Sequence, residues 1–502
     1  MGAGTLLIRA DARAAIGTGH VMRCLALAQA WQDSGGQCVF AMAESTPPVE
    51  CRLGGEGMEV VALKAEVGSL EDAMQTAELS AKKSAVWIVA DGYRFGSEYQ
   101  RAIKESGFKL LFVDDNVHAA SYCADLVLNQ NIHARASLYD KRQPATRLLM
   151  GPRYAMLRRE FRPLRDWRRE VPACARKIII TMGGSDPGNL TKKAAEAIEK
   201  LADSLLETVI LVGGSNPRSG AVGNSTGSDG KESIRFIVDA TNVAELMAWA
   251  DVAVAGAGTT FWEMCFLGLP SILLVLADNQ QAVAEAADRM GIARTLGKGA
   301  DVTASEIAGS LRELLASRET RANQSTRGRK LVDGRGAERV AAFLSDLQLR
   351  RTTESDCELF WQFANEPGAR AASFRDKCIS WESHQDWFQK KMADPQAMLF
   401  TATNATGVPI GEVRFQIEGR RSVLSISLGE QFRGQRHGQN ILTVAIEELF
   451  RNSDAEFIDA YVKPSNEVSL KLFSGAGFLR LPPSPIEGQE AVHFVLEKNV
   501  VD

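Results

Sequence analysis

The sequence predicts an α/β protein built from two successive parallel-sheet domains and a smaller mixed α/β domain. Three observations predict it. Short apolar runs, TLLIRA, CVFAMA, VVAL, AVWIVAD, LLFVDD and LVLNQ, alternate with helical stretches from Thr5 to Gln130, the pattern of a parallel sheet. A second series, KIIITMGGSD, TVILVGG, IRFIVDA, DVAVAGAG and SILLVLA, repeats that logic after the charged stretch Arg158 to Val171. Beyond Arg350 the pattern changes. WESHQDWFQKKM reads as a helix, MLFTATN and PIGEVRFQIEG as adjacent antiparallel strands, and VLSISLGEQFRGQRHGQNILTVAIEELF as a strand, turn and long helix. The expected domains are 1–165, 166–347 and 348–502, with a cleft between the first two.

The 502 residues exceed one ordinary core, in keeping with several domains. A net charge of −4 gives no basic footprint for nucleic acid. Arg9 and Asp11 interrupt any signal-peptide core, and the densest apolar run, Ser271 to Ala277, is too short to span a bilayer. A cytoplasmic protein with neither nucleic-acid nor membrane partner is expected. The eight cysteines show no Cys-Xaa-Xaa-Cys spacing, so no metal is expected, and they read as thiols in a reducing compartment. Cys24 and Cys265 fall inside apolar helical patterns and read as small core residues. No signal for an oligomeric state is evident.

Taken in order, Leu6 to Ala10 reads as the end of a buried strand. Gly17 and Gly19 then allow a tight turn, and from His20 the residues Val21, Leu25 and Ala28 recur at helical spacing. His20 therefore opens a helix beside a strand's carboxyl end, where ligands bind in open α/β sheets and where the helix favours an anion. A histidine so placed can accept a proton in catalysis; alternatively it only caps the helix. In KIIITMGGSDPGNLTKKAAEAI, Gly183, Gly184 and Ser185 end a strand, with Asp186 and Asn189 beyond, and turn amides of this kind can cradle phosphate. In DVAVAGAGTTFWEM a strand ends in Gly256-Ala257-Gly258-Thr259-Thr260 and a helix begins at once. Two hydroxyls and several free amides suit a diphosphate there, and Glu263, one turn in, can accept ribose hydroxyls. The alternative is an ordinary turn with a helix-stabilising glutamate. Gly213 to Ser233, rich in glycine and serine, reads as a mobile surface loop; alternatively its opening GGSN reaches the cleft. A helical tail from Ala304 to about Leu347 closes the second domain.

In this order RADA, GTGHVMRC, VDD, GPRYAMLRREF, GGSDPGN and AGAGTTFWEM followed by DNQ resemble the UDP-2,4-diacetamido-2,4,6-trideoxy-β-L-altropyranose hydrolases of pseudaminic acid biosynthesis. The resemblance covers about residues 5 to 345. It implies two Rossmann-like domains in a glycosyltransferase-B arrangement, with His20 as general base. Water deprotonated by His20 would attack the anomeric carbon and displace UDP, whose charge Gly258, Thr259 and Thr260 would stabilise. Glu263 would face the ribose, with Asn279 and Gln280 near the sugar. The turn residues Gly17, Gly19, Gly184 and Ser185 join the substrate site, and Asp11, Arg23, Asp91, Tyr93, Asn129 and Arg153 face the sugar. Alternatively Asp91 and Asn129 cap strand ends, and Arg23 pairs with a nearby acid. His118 and His133 are weaker loop candidates.

SISLGEQFRGQRHGQNIL followed by YVKPSNEVSLKLFSGAGF resembles the GNAT acyltransferases. The resemblance implies acetyl-CoA as co-substrate, its pyrophosphate held by the turn carrying Gln431, Arg433, Gly434 and Gly438, with Asn466 as a later coenzyme contact. Arg436 stands where a small residue is usual, and Phe473 where a tyrosine often protonates the departing thiolate. Glu412 can deprotonate an amine through water, but reads more simply as a solvent-facing strand residue. His384, between Trp381 and Trp387, reads as a packing residue. Together the two resemblances imply a bifunctional enzyme that acetylates a 4-amino UDP-sugar and then hydrolyses the product. The rivals are a glycosyltransferase, a UDP-sugar 2-epimerase, and a nucleotide-sugar-binding protein with a degenerate GNAT module.

Overall fold

Strand β1 (Thr5–Ala10) is buried on both faces along almost its whole length, as a central parallel strand must be. The computed structural model describes residues 4–13, 17–186, 188–201, 203, 205–218, 234–404, 406–435 and 437–498. β1 is followed by β2 (Gln37–Met42), β3 (Glu59–Ala62), β4 (Ala85–Asp91), β5 (Leu110–Val113), β6 (Leu126–Asn129) and β7 (Arg147–Met150). All pair in parallel, in the order β3-β2-β1-β4-β5-β6-β7. The chain works outward from β1 to β3, then returns to lay β4 against β1. That reversal leaves a crevice at the carboxyl ends of β1 and β4, where Asp11 and Asp91 stand.

The second sheet repeats the device. β8 (Lys177–Thr181), β9 (Glu207–Val212), β10 (Ile234–Val238), β11 (Val252–Gly256), β12 (Ser271–Val275) and β13 (Arg294–Lys298) pair in parallel in the order β10-β9-β8-β11-β12-β13. Its crevice lies between β8 and β11, whose ends carry the two glycine-rich segments. The apolar runs thus mark β1 to β6 and β8 to β12. The edge strands β7 and β13 escaped the pattern because RLLM and RTLGK are short and only partly buried. The helical tail is three helices, Ala304–Ala316, Arg318–Leu331 and Gly336–Leu344. Ser317 breaks the first two, leaving helical geometry to cap the second through the amide of Thr320.

The chain divides into two units after Glu338. In the second, β14 (Gln348–Arg351), β15 (Ala397–Thr403), β16 (Pro409–Glu418), β17 (Arg421–Leu428), β18 (Phe457–Val462), β19 (Leu479–Arg480) and β21 (Gln489–Glu497) form one sheet, with β20 (Ser484–Ile486) paired to β21. Its neighbours are antiparallel except β17 and β18. These two pair only from Arg421–Phe457 to Val423–Asp459 and then part. One face packs on the helix His437–Asn452 through Ile441, Leu442, Ala445 and Leu449 against Phe400, Val413, Ile458 and Phe494. On the other face, the helices Cys357–Asn365 and Trp381–Ala393 cover Leu399 of β15 with Phe360 and Phe388.

Candidate active site

The helix Gly19–Asp33 starts directly after the glycine turn, with Gly17 at φ +78°, a conformation that suits glycine alone. Its first turn places His20 and Arg23 on the side of β4. His20 Nδ1 lies 2.6 Å from Asp91 Oδ1. Arg23 grips the same carboxylate with Nε on Oδ2 and Nη2 on Oδ1, both at 2.6 Å, and reaches Asp115 Oδ2 with Nη1 at 2.6 Å. Burial works against the Asp91 charge, but Arg23 and His20 outweigh it and hold its pKa far below the usual carboxylate range. An ionised Asp91 assigns the Nδ1 proton to the bond with its oxygen, which leaves Nε2 as the acceptor nitrogen. Cys24 is buried as expected and also donates to Asp91 at 3.3 Å. Asp91 therefore does more than end a strand, and Arg23 does pair with acids, two of them.

Asp11, His20, Asp91 and Tyr93 line one cavity, with the half-exposed Arg13–Glu44 pair. Asp11 Oδ1 accepts the amides of Ala43 and Glu44, and its Oδ2 faces Arg9 at 2.7 Å. Tyr93 stands edge-on to the His20 ring, centroids 4.7 Å apart.

The second crevice meets the first at its glycines. A Cβ on Gly19 would lie 3.5 Å from Thr259 Oγ1, one on Gly17 would lie 3.4 Å from Ser185 Oγ, and one on Gly184 would fall 2.2 Å from Thr18 Oγ1. The histidine turn is thus seated against both glycine-rich segments. Across the same junction Asn279 Nδ2 donates to Tyr93 Oη at 2.7 Å. Gln280 lies beside Gly258, its Nε2 3.4 Å from where a Cβ on that glycine would be.

The helix Thr260–Leu267 starts without a side-chain cap. Phe261 and Trp262 amides bond back to Gly258 and Thr259 carbonyls, while the amides of Gly258, Thr259 and Thr260 take no partner among the described residues. These are free donors at a positive helix end. The segment after β8 differs. Asp186 accepts the amides of Leu190 and Thr191 at 2.8 and 2.9 Å, so the helix Leu190–Leu201 already has an anion at its start. Glu263 pairs with Arg158 at 2.9 Å, and burial, partly opposed by Arg158, raises its pKa.

Several sequence expectations change. Asn129 uses both ends of its amide inside the protein, donating to Tyr139 Oη and accepting from the amide of Asn131, so it shapes the strand end instead of facing a sugar. Arg153 packs over the Tyr154 ring at 5.7 Å. His118 is engaged by Asp114 and the Phe95 carbonyl; burial lowers its pKa, but Asp114 prevails and raises it. Burial lowers that of His133. The Gly213 loop is more than a connection where it begins, for Ser215 shares a 3.0 Å hydrogen bond with Thr46 and Gly213 closes on Gly184. Residues 219–233 of that loop lie outside the described residues. Among the described residues no group of three or more metal-ligating side chains occurs, and no helix is long and apolar enough to cross a membrane.

In the second unit, Gly434 has φ +77° in the turn between β17 and the helix His437–Asn452, with Gln431 at its start. Gly438 lies in the first turn of that helix, close to Leu428 and Leu472. Arg433 is spent on the Leu428 carbonyl and Glu366, and so braces the turn. Asn466 caps the helix Glu467–Gly475 through the Ser469 amide. Arg436 lies outside the described residues.

Residues 178–338 match the glycosyltransferase family 28 C-terminal domain, and residues 346–479 match the acetyltransferase (GNAT) domain. The chain thus joins a segment similar to the glycosyltransferase family 28 C-terminal domain to one similar to the GNAT domain. The spore coat polysaccharide biosynthesis protein SpsG of Bacillus subtilis is 29% identical over 337 residues, 66% of this chain and 95% of that protein. The UDP-2,4-diacetamido-2,4,6-trideoxy-β-L-altropyranose hydrolase of Campylobacter jejuni is 26% identical over 281 residues, 56% of this chain and 94% of that protein. An uncharacterized protein of Methanocaldococcus jannaschii is 23% identical over 489 residues, 94% of this chain and 96% of that one, so the join itself recurs. A solved spermidine N-acetyltransferase from Vibrio cholerae, in complex with CoA and spermine, covers 31% of this chain and 98% of its own at 17% identity and a TM-score of 0.29.

In the GNAT domain, Glu412 corrects its sequence reading. It is 2% exposed, with Arg414 Nε 3.6 Å from its Oε1, and burial, eased by Arg414, raises its pKa. Phe473 is packed on Phe478 and Phe494. His384 is buried among Trp381, Trp387 and Phe388, bonded to the Cys357 carbonyl. In the first unit, sequence reasoning missed Thr18, Asp115 and Arg158. Asp115 was marked by VDD at the end of β5, a strand-end carboxylate of the same kind as Asp91.

Proposed function

We propose that the first unit hydrolyses a UDP-linked diacetamido-trideoxy sugar, and that the GNAT domain supplies this substrate by acetylating the 4-amino UDP-sugar with acetyl-CoA. The observation that carries this reading is the contact of the His20 turn with Thr259, which sets an oriented imidazole and free helix-end amides in one crevice. The name of the Campylobacter relative supports the same chemistry. His20 Nε2 takes a proton from water as the oxygen bonds to the anomeric carbon. The bond from that carbon to the diphosphate breaks, and UDP leaves with its charge toward the amides of Gly258, Thr259 and Thr260. Asp91 stabilises the imidazolium, while Arg23 and Asp115 hold Asp91 in place.

In the GNAT domain the amine nitrogen attacks the thioester carbonyl and CoA departs as the thiol. The turn at Gly434 and the first turn of the helix His437–Asn452 offer backbone amides for the pyrophosphate. Incubation of the purified protein with UDP-4-amino-4,6-dideoxy-N-acetyl-β-L-altrosamine tests both steps by mass analysis. With acetyl-CoA, a diacetamido sugar and UDP are expected. Acetylated UDP-sugar that is never cleaved would remove the hydrolase, and sugar passed to an added acceptor in preference to water would assign glycosyl transfer.

A further inference from the structure

The GNAT domain carries a histidine–aspartate pair on the sheet face away from the helix His437–Asn452. Ile458, Ala460 and Phe494 enter the core on that helix, so Asp459, Tyr461 and His493, which alternate with them, stand on the opposite face. Asp459 is 4% exposed, and its Oδ1 lies 2.7 Å from His493 Nε2. Arg421 of β17 grips the same carboxylate, Nε to Oδ2 at 2.8 Å and Nη2 to Oδ1 at 2.5 Å. Tyr461 stacks flat on the His493 ring, centroids 4.6 Å apart and planes 17° apart. With Nε2 committed to Asp459, Nδ1 makes no hydrogen bond among the described residues, and the side chain keeps 16% of its surface. The arrangement repeats that of His20 and Asp91: a carboxylate pinned by arginine, an oriented imidazole, and one nitrogen left over.

Its position gives this pair a use. Val423–Asp459 is the last rung between β17 and β18. From Leu424 to Leu428, about 13 Å at ~3.3 Å per residue, β17 has no partner on that side, and the strands enclose a gap. The turn proposed for the CoA pyrophosphate follows Leu428 at the open end. An extended pantetheine arm entering there carries its thioester toward the last rung, where Asp459 stands. Glu412 is opposite Ser427, four positions nearer the turn, and so lies by the pyrophosphate end. Val423, 40% exposed, and Leu479, 62% exposed and paired beside Val495, leave apolar surface next to the pair. That ground suits an amine carried on a partly apolar ring.

We infer that His493, oriented by Asp459, is the proton acceptor for the amine in acetyl transfer, an inference that rests on the acetyltransferase reading above. As the amine nitrogen bonds to the thioester carbonyl carbon, its proton passes to His493 Nδ1. The carbon–sulfur bond then breaks, and the imidazolium returns the proton to the CoA thiolate, so amine and acetyl-CoA give amide and thiol. This return is consistent with Phe473, which offers no hydroxyl to the leaving sulfur.

The test measures thiol release by the full chain from acetyl-CoA and UDP-4-amino-4,6-dideoxy-N-acetyl-β-L-altrosamine. His493→Ala is expected to lower kcat about 100-fold, to leave the KM for acetyl-CoA within about twofold, and to regain activity with added imidazole. Asp459→Asn lowers kcat with the same KM. His493→Gln, which retains an amide donor for Asp459, is expected to match the thermal stability of the parent while staying slow. A His493→Ala protein as fast as the parent, or slow with a raised KM and no imidazole rescue, would overturn the inference and leave the cluster a strand tie. A parent protein that binds acetyl-CoA yet releases no thiol would overturn the acetyltransferase reading and this inference with it.

Discussion

His20 and Asp91 meet at 2.6 Å where the first helix starts beside the end of β4, and Arg23 bonds both oxygens of the same carboxylate. The histidine's geometry is therefore set by a charge that is itself fixed. Asp91→Asn keeps the shape but removes the charge that assigns the Nδ1 proton and stabilises the imidazolium. UDP release should fall by ~100-fold or more, with the Kd for UDP unchanged, as measured by stopped-flow and calorimetry. Equal loss of UDP binding would make Asp91 a scaffold residue only.

Asp114 gives the first unit a pH-dependent stability. Burial opposes its charge, but bonds from His118, Tyr122 and the Asn116 amide hold its pKa below the usual value. A carboxylate with a depressed folded pKa contributes fully above its unfolded value, about 3.9, and loses that contribution as pH falls through the folded value. Asp114→Asn should thus lower the urea midpoint most at about pH 6, and the gap from the parent should narrow below about pH 4. A gap independent of pH would contradict the assignment.

Glu263 is shared between two accounts that one variant separates. Glu263→Gln removes one of the two ion-pair partners of Arg158, that at 2.9 Å, and leaves Glu160 at 3.2 Å, which costs about 1–2 kcal/mol in urea unfolding. If Glu263 also accepts the ribose hydroxyls, the Kd for UDP rises about tenfold in addition. Lost stability with unchanged UDP affinity would confine it to the ion pair.

Gly184 is where the two crevices press together. Gly184→Ala places a methyl group 2.2 Å from Thr18 Oγ1 and 3.0 Å from its Cγ2. Overpacking of this kind costs about 1–3 kcal/mol and displaces the turn that carries His20. UDP release should slow about tenfold, and Thr18→Ala in the same chain should recover most of it. Failure of the double variant to recover would show that Gly184 serves the substrate directly.

Much of the site could be read from the sequence because it hangs on strand ends. RADA, VDD and AVWIVAD are local apolar runs closed by acids, and GTGH and AGAGTT are local turns, so their placement beside a ligand crevice follows from pattern alone. What escaped depends on which partners the side chains take, and the apolar pattern does not carry that. Asn129 looked like a sugar contact until Tyr139 and the Asn131 amide took its two ends. Asp186 looked like part of a phosphate turn until it supplied that helix with its own anion. Glu412 sits on the alternate, polar register of β16, which suggested solvent, yet its side chain is buried. The His493–Asp459 pair joins β21 to β18 across 34 residues, and neither residue lies in a motif.

The most direct measurement of the central claim is single-turnover UDP release by His20→Ala from the diacetamido UDP-sugar, run beside CoA release by the same protein from acetyl-CoA and the 4-amino precursor. The account predicts that UDP release falls by about 100-fold or more, while CoA release and the Kd for UDP remain those of the parent. UDP release at the parent's rate would contradict it and remove His20 from the chemistry.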